Sequence, residues 1–240
     1  METRTLQTLI FDADDTLWEC NKYFEVAIHR FIDFLHTEHL SRGEIREVLD
    51  TFERVNGYGA RAFARSLVET YRELATENDP GDEETIERLG LDILEQEMET
   101  IPGVQQTLTA LRPHHSLMLF TKGDEEEQQL KIKRSALADY FEYYIVTDDK
   151  TVATYEDVID GLNLDKATTW MIGNSMKSDI LPALQTGINA IYVPNPHTWH
   201  MENTEIDHDP EWPGMFLKLD RIGHLTNHFT NSSTGQSIDH

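Results

Sequence analysis

The sequence predicts an α/β protein: a parallel sheet covered by helices on both faces, with an all-helical block set into it. Three observations carry that expectation. From Pro102 onward, short apolar runs alternate with segments of helical periodicity, the order that builds β-then-α units. Near the N-terminus the run Leu9-Ile10-Phe11 empties abruptly into Asp12-Ala13-Asp14-Asp15-Thr16, as a buried strand does where it opens into a site. Between the two, from Glu19 to about Glu99, apolar residues recur only at helical spacing.

Taken in order, Thr5 to Phe11 is the first strand, and Phe24, Ile28, Phe31, Ile32 and Leu35 mark one face of a helix. Ser41-x-x-Glu44 is a capping box, two side chains satisfying two orphan backbone N–H groups, ahead of Ile45, Val48, Leu49 and Phe52. Asn56-Gly57-Tyr58-Gly59 interrupts, and Ala62, Phe63, Leu67 and Tyr71 open another helix. Asn78-Asp79-Pro80-Gly81 is a turn, followed by a helix through Ile86, Leu89, Leu94 and Met98. Such a block behind a single strand reads as an inserted subdomain. Pro102-Gly103 restores the alternation, with a helix through Val104, Leu108 and Leu111 and a strand from Ser116 to Phe120. Asp124-x-x-Glu127 has the spacing to cap the next helix. Strands follow at Tyr143 to Val146, Thr168 to Ile172 and Asn189 to Val193, separated by a helix with Val158, Ile159 and Leu162 and a helical stretch holding Asp179. Residues 230–240 are polar and expected to be a disordered tail.

A chain of 240 residues can bury a sizeable core, and 39% apolar content is that of a soluble globular protein. No apolar run approaches the length of a membrane span, and Met1-Glu2-Thr3-Arg4 lacks the layout of a signal peptide. The single cysteine, Cys20, cannot form an internal disulfide, which points to the cytoplasm. A formal net charge of -24 argues against nucleic-acid binding, since phosphate contacts need clustered Lys and Arg. A small anionic substrate would need a locally positive pocket within that repulsive field.

Four successive strand ends offer Asp12 and Asp14, then Thr121, then Lys150, then Asn174 and Asp179. In open α/β sheets ligands bind at the carboxyl ends of the strands. Oxygen donors at Asp12, Asp14 and Asp179 suit magnesium, which takes one or two carboxylates and leaves room for a substrate phosphate. A threonine hydroxyl with neighbouring backbone amides holds phosphate oxygens. Calcium, a structural acidic cluster and a simple Asx turn closing the first strand are the alternatives, and none calls for the lysine. A bound phosphate monoester carries about -1.5 to -2 charges. With Asp12 and Asp179 ionised, against the metal and Lys150, the sum is already near -1 by simple addition. A third ionised carboxylate is disfavoured, which makes Asp14 the natural proton carrier.

This set closely resembles the haloacid dehalogenase-like superfamily, whose four motifs occupy the same strand ends in the same order. The first motif, Asp-x-Asp-x-Thr, is matched by Asp12, Asp14 and Thr16; the second, a Ser or Thr, by Thr121. For the third, a Lys, Lys150 is the best match and Lys122 a rival. The fourth, Gly-Asp/Asn-x-x-x-x-Asp, is matched by Gly173, Asn174 and Asp179, with Asn where many members carry Asp. The resemblance implies a Rossmann-like, doubly wound core from 1–18 and 100–229 and an inserted α-helical cap over 19–99. It also implies a Mg2+ site at Asp12, Asp14, Asp179 and Asn174, with Thr121 and Lys122 holding phosphate and Asp12, Asp14 and Lys150 catalytic. The activity it implies is a magnesium-dependent phosphatase acting on a small phosphorylated metabolite, with Asp12 as nucleophile and Asp14 as acid and base. A 2-haloacid dehalogenase, a phosphomutase and a non-catalytic phosphate-binding module are the alternatives; the family's dehalogenases lack the second Asp.

In capped members a loop between cap helices selects the leaving group. Asn56-Gly57-Tyr58-Gly59-Ala60-Arg61 has that position here, with Tyr58 to stack on substrate and Arg61 to meet a second anionic group. His197-Thr198-Trp199 follows the fifth strand at the edge of the expected site, where packing is the simpler role.

Overall fold

The computed structural model describes residues 6–35, 39–204 and 212–230. Strand β1 (Thr8–Phe11) is followed by helices α1 (Asn21–Leu35), α2 (Arg42–Asn56), α3 (Ala60–Leu74) and α4 (Pro80–Leu91). The chain continues as α5 (Val104–Leu111), β2 (Ser116–Lys122), α6 (Glu125–Arg134), β3 (Tyr143–Thr147) and α7 (Val152–Gly161). It ends with β4 (Thr169–Gly173), α8 (Leu181–Thr186), β5 (Asn189–Tyr192), β6 (Phe216–Lys218) and α9 (Leu225–Thr230). Thr5 and residues 231–240 of the expected tail lie outside the described residues, while Thr230, expected in that tail, is the last residue of α9.

The strands form one parallel sheet in the order β3-β2-β1-β4-β5-β6. That is the doubly wound order, in which the chain runs outward from β1 on one side and then from β4 on the other. Connections leave in opposite directions on either side of the β1–β4 pair, so a crevice opens at their carboxyl ends. Phe11 is level with both Leu119 and Ile172, which brings the residues after β1, β2 and β4 to one edge.

Both faces of the sheet are buried at its central strands β1, β2 and β4, as the unbroken apolar run of β1 requires. Leu9 and Phe11 pack with Leu117, Leu119, Trp170 and Ile172 against α5 and α9. Ile10 points the other way, to Met118, Phe120 and Met171, under Tyr155, Ile159 and Leu184. The helical insertion has a core of its own around Phe31, Leu49, Phe63, Leu67 and Ile86.

The insertion leaves and re-enters the sheet layer through adjacent segments. Trp18 bridges Thr100, Glu19 N–H donates to Glu99 O at 2.9 Å, and Ile101 N–H to Leu17 O at 3.0 Å. This return sets the end of the fourth helix. The apolar spacing predicts helix through Met98, but α4 stops at Leu91 and gives way to a 3₁₀ turn at Asp92–Glu95, because the chain must turn back to meet Glu19.

Capping follows the sequence at Ser41, where both halves of the box form. It differs at Asp124. Asp124 accepts from Glu127 N–H, but the Glu127 carboxylate crosses to the insertion, accepting from Ala60 N–H at 2.6 Å and Arg61 N–H at 3.0 Å. Glu127 therefore serves the orphan N–H groups of α3 rather than its own helix. Gly59 permits this contact: its φ is +100°, and a Cβ there would lie 2.7 Å from Glu127 Oε2. β6 was not expected from the sequence. It is three residues long and only partly buried, too short for an alternating pattern to show. Among the described residues no helix is long and apolar enough to cross a membrane.

Candidate active site

A cavity of about 140 Å³ lies between the carboxyl edge of the sheet and the insertion. Asp12, Asp14, Thr121, Lys122, Lys150, Asn174 and Asp179 all line it, so the strand ends identified from sequence do converge. Its opposite wall comes from Phe24, Glu53, Tyr58 and Phe63 of the insertion and Trp199 of the loop after β5.

Lys150 is the hub of the floor. Its Nζ donates to Asp12 Oδ1 at 2.6 Å and to Asp179 Oδ1 at 2.7 Å, and all three residues are buried. Burial opposes the ammonium charge, yet Asp12 and Asp179 hold the Lys150 pKa above its ordinary value. Asp12 is pushed up to about 7, first by burial and then by Asp179, with Lys150 pulling the other way. Asp12 Oδ2 accepts from Thr16 Oγ1 at 2.9 Å, and Asp12 N–H is tied to Ile172 O at 2.9 Å. Asp179 Oδ2 accepts from Ser175 N–H at 2.9 Å. Gly173 is needed beside it: a Cβ there would sit 2.1 Å from Asp179 Oδ2.

Lys122, the rival lysine, is engaged elsewhere. Its Nζ donates to Glu202 Oε1 at 2.5 Å and Ser178 Oγ at 2.8 Å, and lies 4.2 Å from the centre of the Tyr58 ring. Thr121 is buried, with its hydroxyl accepting from Gln128 Nε2 at 3.0 Å.

The Asp14 carboxylate turns away from that floor. Oδ1 accepts from Trp18 Nε1 at 2.7 Å, and Oδ2 from Lys131 Nζ at 2.7 Å and Gln128 Nε2 at 3.0 Å. Burial raises its pKa, but the Lys131 charge together with the hydrogen bonds from Lys131, Gln128 and Trp18 outweighs burial and holds Asp14 below the usual carboxylate range. Charge counting places the extra proton on Asp14; in this structure Asp12 is the carboxyl inclined to hold it. Lys131, which reaches the site from α6, is not apparent from motif or spacing. Its Nζ also donates to Cys20 Sγ at 3.4 Å; burial pushes that thiol well above its ordinary pKa, so Cys20 is an inert packed thiol.

The donors available to a hard cation are mixed. Among the described residues no group of three or more His, Cys, Asp or Glu side chains forms a ready metal cluster. What converges instead is Asp12 Oδ2, the Asp14 main-chain carbonyl and the Asn174 amide. Turned to its better-bonded orientation, Asn174 donates to Asp14 O at 3.2 Å, Thr16 Oγ1 at 3.0 Å and Asp12 Oδ2 at 3.2 Å. One amide rotation replaces that N–H2 with an oxygen. A carboxylate, a carbonyl and an amide oxygen fit magnesium's preferences. The Asp14 carboxylate, expected among the ligands, is committed to Lys131, so Asp14 offers its main-chain oxygen in its place.

Arg61 does not line the cavity. Its guanidinium pairs with Asp124 at 3.2 Å, Glu126 at 3.5 Å and Glu127 at 3.7 Å, drawn to the acidic first turn of α6. Tyr58 does line it, packed edge-on to Trp199 with ring centres 5.9 Å apart. Among the cavity residues that sequence reasoning missed, Phe24, Glu53, Phe63, Gln128 and Lys131 sit on helices, where the apolar ones read as ordinary core positions.

Asp12, Asp15 and Glu53 are each pushed up to about 7, in every case first by burial. Each holds a proton in the folded chain at pH values where the unfolded chain has lost it. Their stabilising contribution is therefore full at low pH and is lost as pH rises from about 4 to about 7. Asp14, shifted the other way, loses its contribution only below the ordinary carboxylate range. Measured without metal or substrate, the melting temperature is expected to be higher at about pH 5 than at about pH 8, and Asp12→Asn to flatten that slope. An unchanged slope in Asp12→Asn would remove Asp12 from the explanation.

A family model described as haloacid dehalogenase-like hydrolase matches residues 6–187. The pyrimidine 5′-nucleotidase YjjG of Escherichia coli is 28% identical over 111 residues, 44% of this chain and 48% of that protein, so the chain aligns with about half of that relative's length. A glyceraldehyde 3-phosphate phosphatase of Pyrococcus abyssi is 23% identical over 78% of this chain and 81% of its own. Among solved structures, a haloacid dehalogenase-like family hydrolase from Xanthomonas campestris superposes with a TM-score of 0.81 at 28% identity, covering 95% of this chain and 96% of that one.

Proposed function

Because this chain belongs to the haloacid dehalogenase-like hydrolases, we propose that its cavity hydrolyses a small phosphate monoester through a phosphoryl intermediate on Asp12, beneath a helical cap made by residues 19–99. The observation that carries this reading is Lys150, a buried cation joining Asp12 to Asp179 at the end of the central strands. Once ionised, Asp12 so held is oriented and screened for attack on phosphorus, and Lys150 can follow the charge onto the phosphoryl oxygens.

Asp12 forms the new O–P bond as the P–O bond to the alcohol breaks, and the alcohol leaves with a proton from Asp14. Water then attacks the phosphorus of the intermediate, Asp14 takes its proton, and the Asp12–phosphorus bond breaks to release phosphate. Asp14 is held ionised by Lys131. An arriving phosphoryl group adds negative charge beside it and competes for that lysine, and both effects raise the Asp14 pKa. As substrate binds, Asp14 thus takes up the proton it later donates. Thr121 Oγ1 and the backbone after β2 hold phosphoryl oxygens. Asp12, the Asp14 carbonyl and Asn174, with Asp179 behind Lys150, would hold Mg2+, which when bound would supply positive charge to offset that of the phosphoryl group.

The cavity of about 140 Å³ has room for a phosphoryl group and a short alcohol. A small metabolite fits that space, as the Pyrococcus phosphatase's name indicates for that protein. A cytoplasmic location accords with the single cysteine. The test is phosphate release from a panel of small phosphorylated metabolites in Mg2+. Activity is expected, lost with a chelator and restored by Mg2+; turnover indifferent to the chelator would remove the metal from this reading.

A further inference from the structure

Glu53, in the cavity wall opposite the strand ends, is a buried carboxyl that neither the fold nor the proposed chemistry explains. It lies in the last turn of α2, within the insertion, with only 9% of its surface exposed. Its Oε2 is buried without a hydrogen-bond partner. A buried carboxyl oxygen left unpaired costs stability, so such groups are rare and call for a partner, which in a cavity wall a ligand can supply.

The nearby cation does not complete it. Arg46 Nε donates to Asp50 Oδ1 at 3.0 Å, and its terminal nitrogens donate to Glu25 at 2.9 and 3.1 Å. Glu53 is left facing the cavity between apolar walls. Phe24 and Phe63 pack edge-on at 5.0 Å between ring centres, and Tyr58 closes the loop side against Trp199. Burial first, with Asp50 and Glu25 adding to it against Arg46, pushes Glu53 up to about 7. A hydrogen-bond donor on a ligand relieves this strain.

We propose that Glu53 accepts a hydrogen bond from the leaving group, and that the substrate is the phosphate monoester of a short alcohol bearing a hydroxyl or ammonium donor at its far end. This rests on the phosphatase reading above and adds to it the chemistry of the alcohol. The floor holds the phosphoryl group, the aromatic walls enclose the short chain, and Glu53 reads its end. Glu53 is a specificity residue on this account, with no part in the bond changes at phosphorus.

The experiment compares kcat/KM for propyl phosphate, glycerol 3-phosphate and 3-aminopropyl phosphate in the wild type, Glu53→Leu and Glu53→Gln, all with Mg2+. The wild type is expected to prefer a donor-bearing ester over propyl phosphate by about 10- to 100-fold, the range of one hydrogen bond to a charged group. Glu53→Leu should bring that ratio close to one. Glu53→Gln keeps an acceptor without the charge, so it should retain a preference for glycerol 3-phosphate and lose one for the ammonium ester, which separates the two donors. Because Leu removes an unpaired buried carboxyl, its melting temperature should not fall below the wild type's. A wild type that turns over all three esters alike, or a Leu variant that keeps the ratio, overturns the assignment while leaving the phosphatase reading intact. Failure of the wild type on all three and on a simple aryl phosphate overturns both.

Discussion

Asp12→Asn is expected to abolish phosphate release, by about 10⁴-fold or more, the scale on which removal of a nucleophile acts. The amide keeps the shape of the carboxylate but is a poor nucleophile. The substitution should leave the protein folded. Asp12 shares Lys150 with Asp179, so the lysine retains a carboxylate partner at 2.7 Å when the charge on Asp12 is removed. A buried repulsion between Asp12 and Asp179 is relieved at the same time. Steady-state turnover and a circular-dichroism melt check the two halves separately. Substantial turnover in the folded variant would end the covalent mechanism.

Lys150→Met is expected to cost both stability and activity. The lysine is buried with both partners, and its removal leaves two carboxyls facing each other without a cation. Breaking a buried ion pair by removing one partner costs about 3–5 kcal/mol. Unlike the loss of a surface pair, this one has a pH signature. Protonating either carboxyl removes the repulsion, so the variant should recover part of its stability as pH falls. Turnover should drop by about 10²–10³-fold, as on loss of one fixed stabilising donor. Urea unfolding at two pH values, with phosphate release alongside, measures all three effects. Lys122→Met gives the contrast: that lysine pairs with Glu202 and does not touch Asp12. If the two variants lost activity equally, Lys150 would have no special place in the chemistry.

The sheet and the floor of the site were legible because both follow from short-range rules. A parallel sheet places every strand's carboxyl end on one edge, so residues after four apolar runs had to share a neighbourhood. Asp12, Thr121, Lys150, Asn174 and Asp179 were found that way. The side chains that come from helices were not, since a helical residue's target depends on packing angles that periodicity does not encode. Nothing in the local pattern marks Lys131 and Gln128 on α6, yet they hold the Asp14 carboxylate. Glu53 follows Phe52 in an amphipathic helix and gave no sign of facing a cavity. Arg61 shows the same limit. Its place beside Tyr58 suggested the substrate, but the acids of α6 lie nearer and take it. Glu127 has the capping-box spacing and caps a different helix, a choice made only once the insertion packs on the core.

The central claim is that Asp12 carries the phosphoryl group. Rapid acid quenching of the enzyme during turnover of its best substrate with Mg2+, followed by peptide mass analysis, tests it directly. The account predicts one added phosphoryl group on the peptide containing Asp12, stable in acid, lost in mild base and missing from Asp12→Asn. Turnover that proceeds under the same quench with that peptide unmodified, or with the phosphoryl group on another residue, would contradict it.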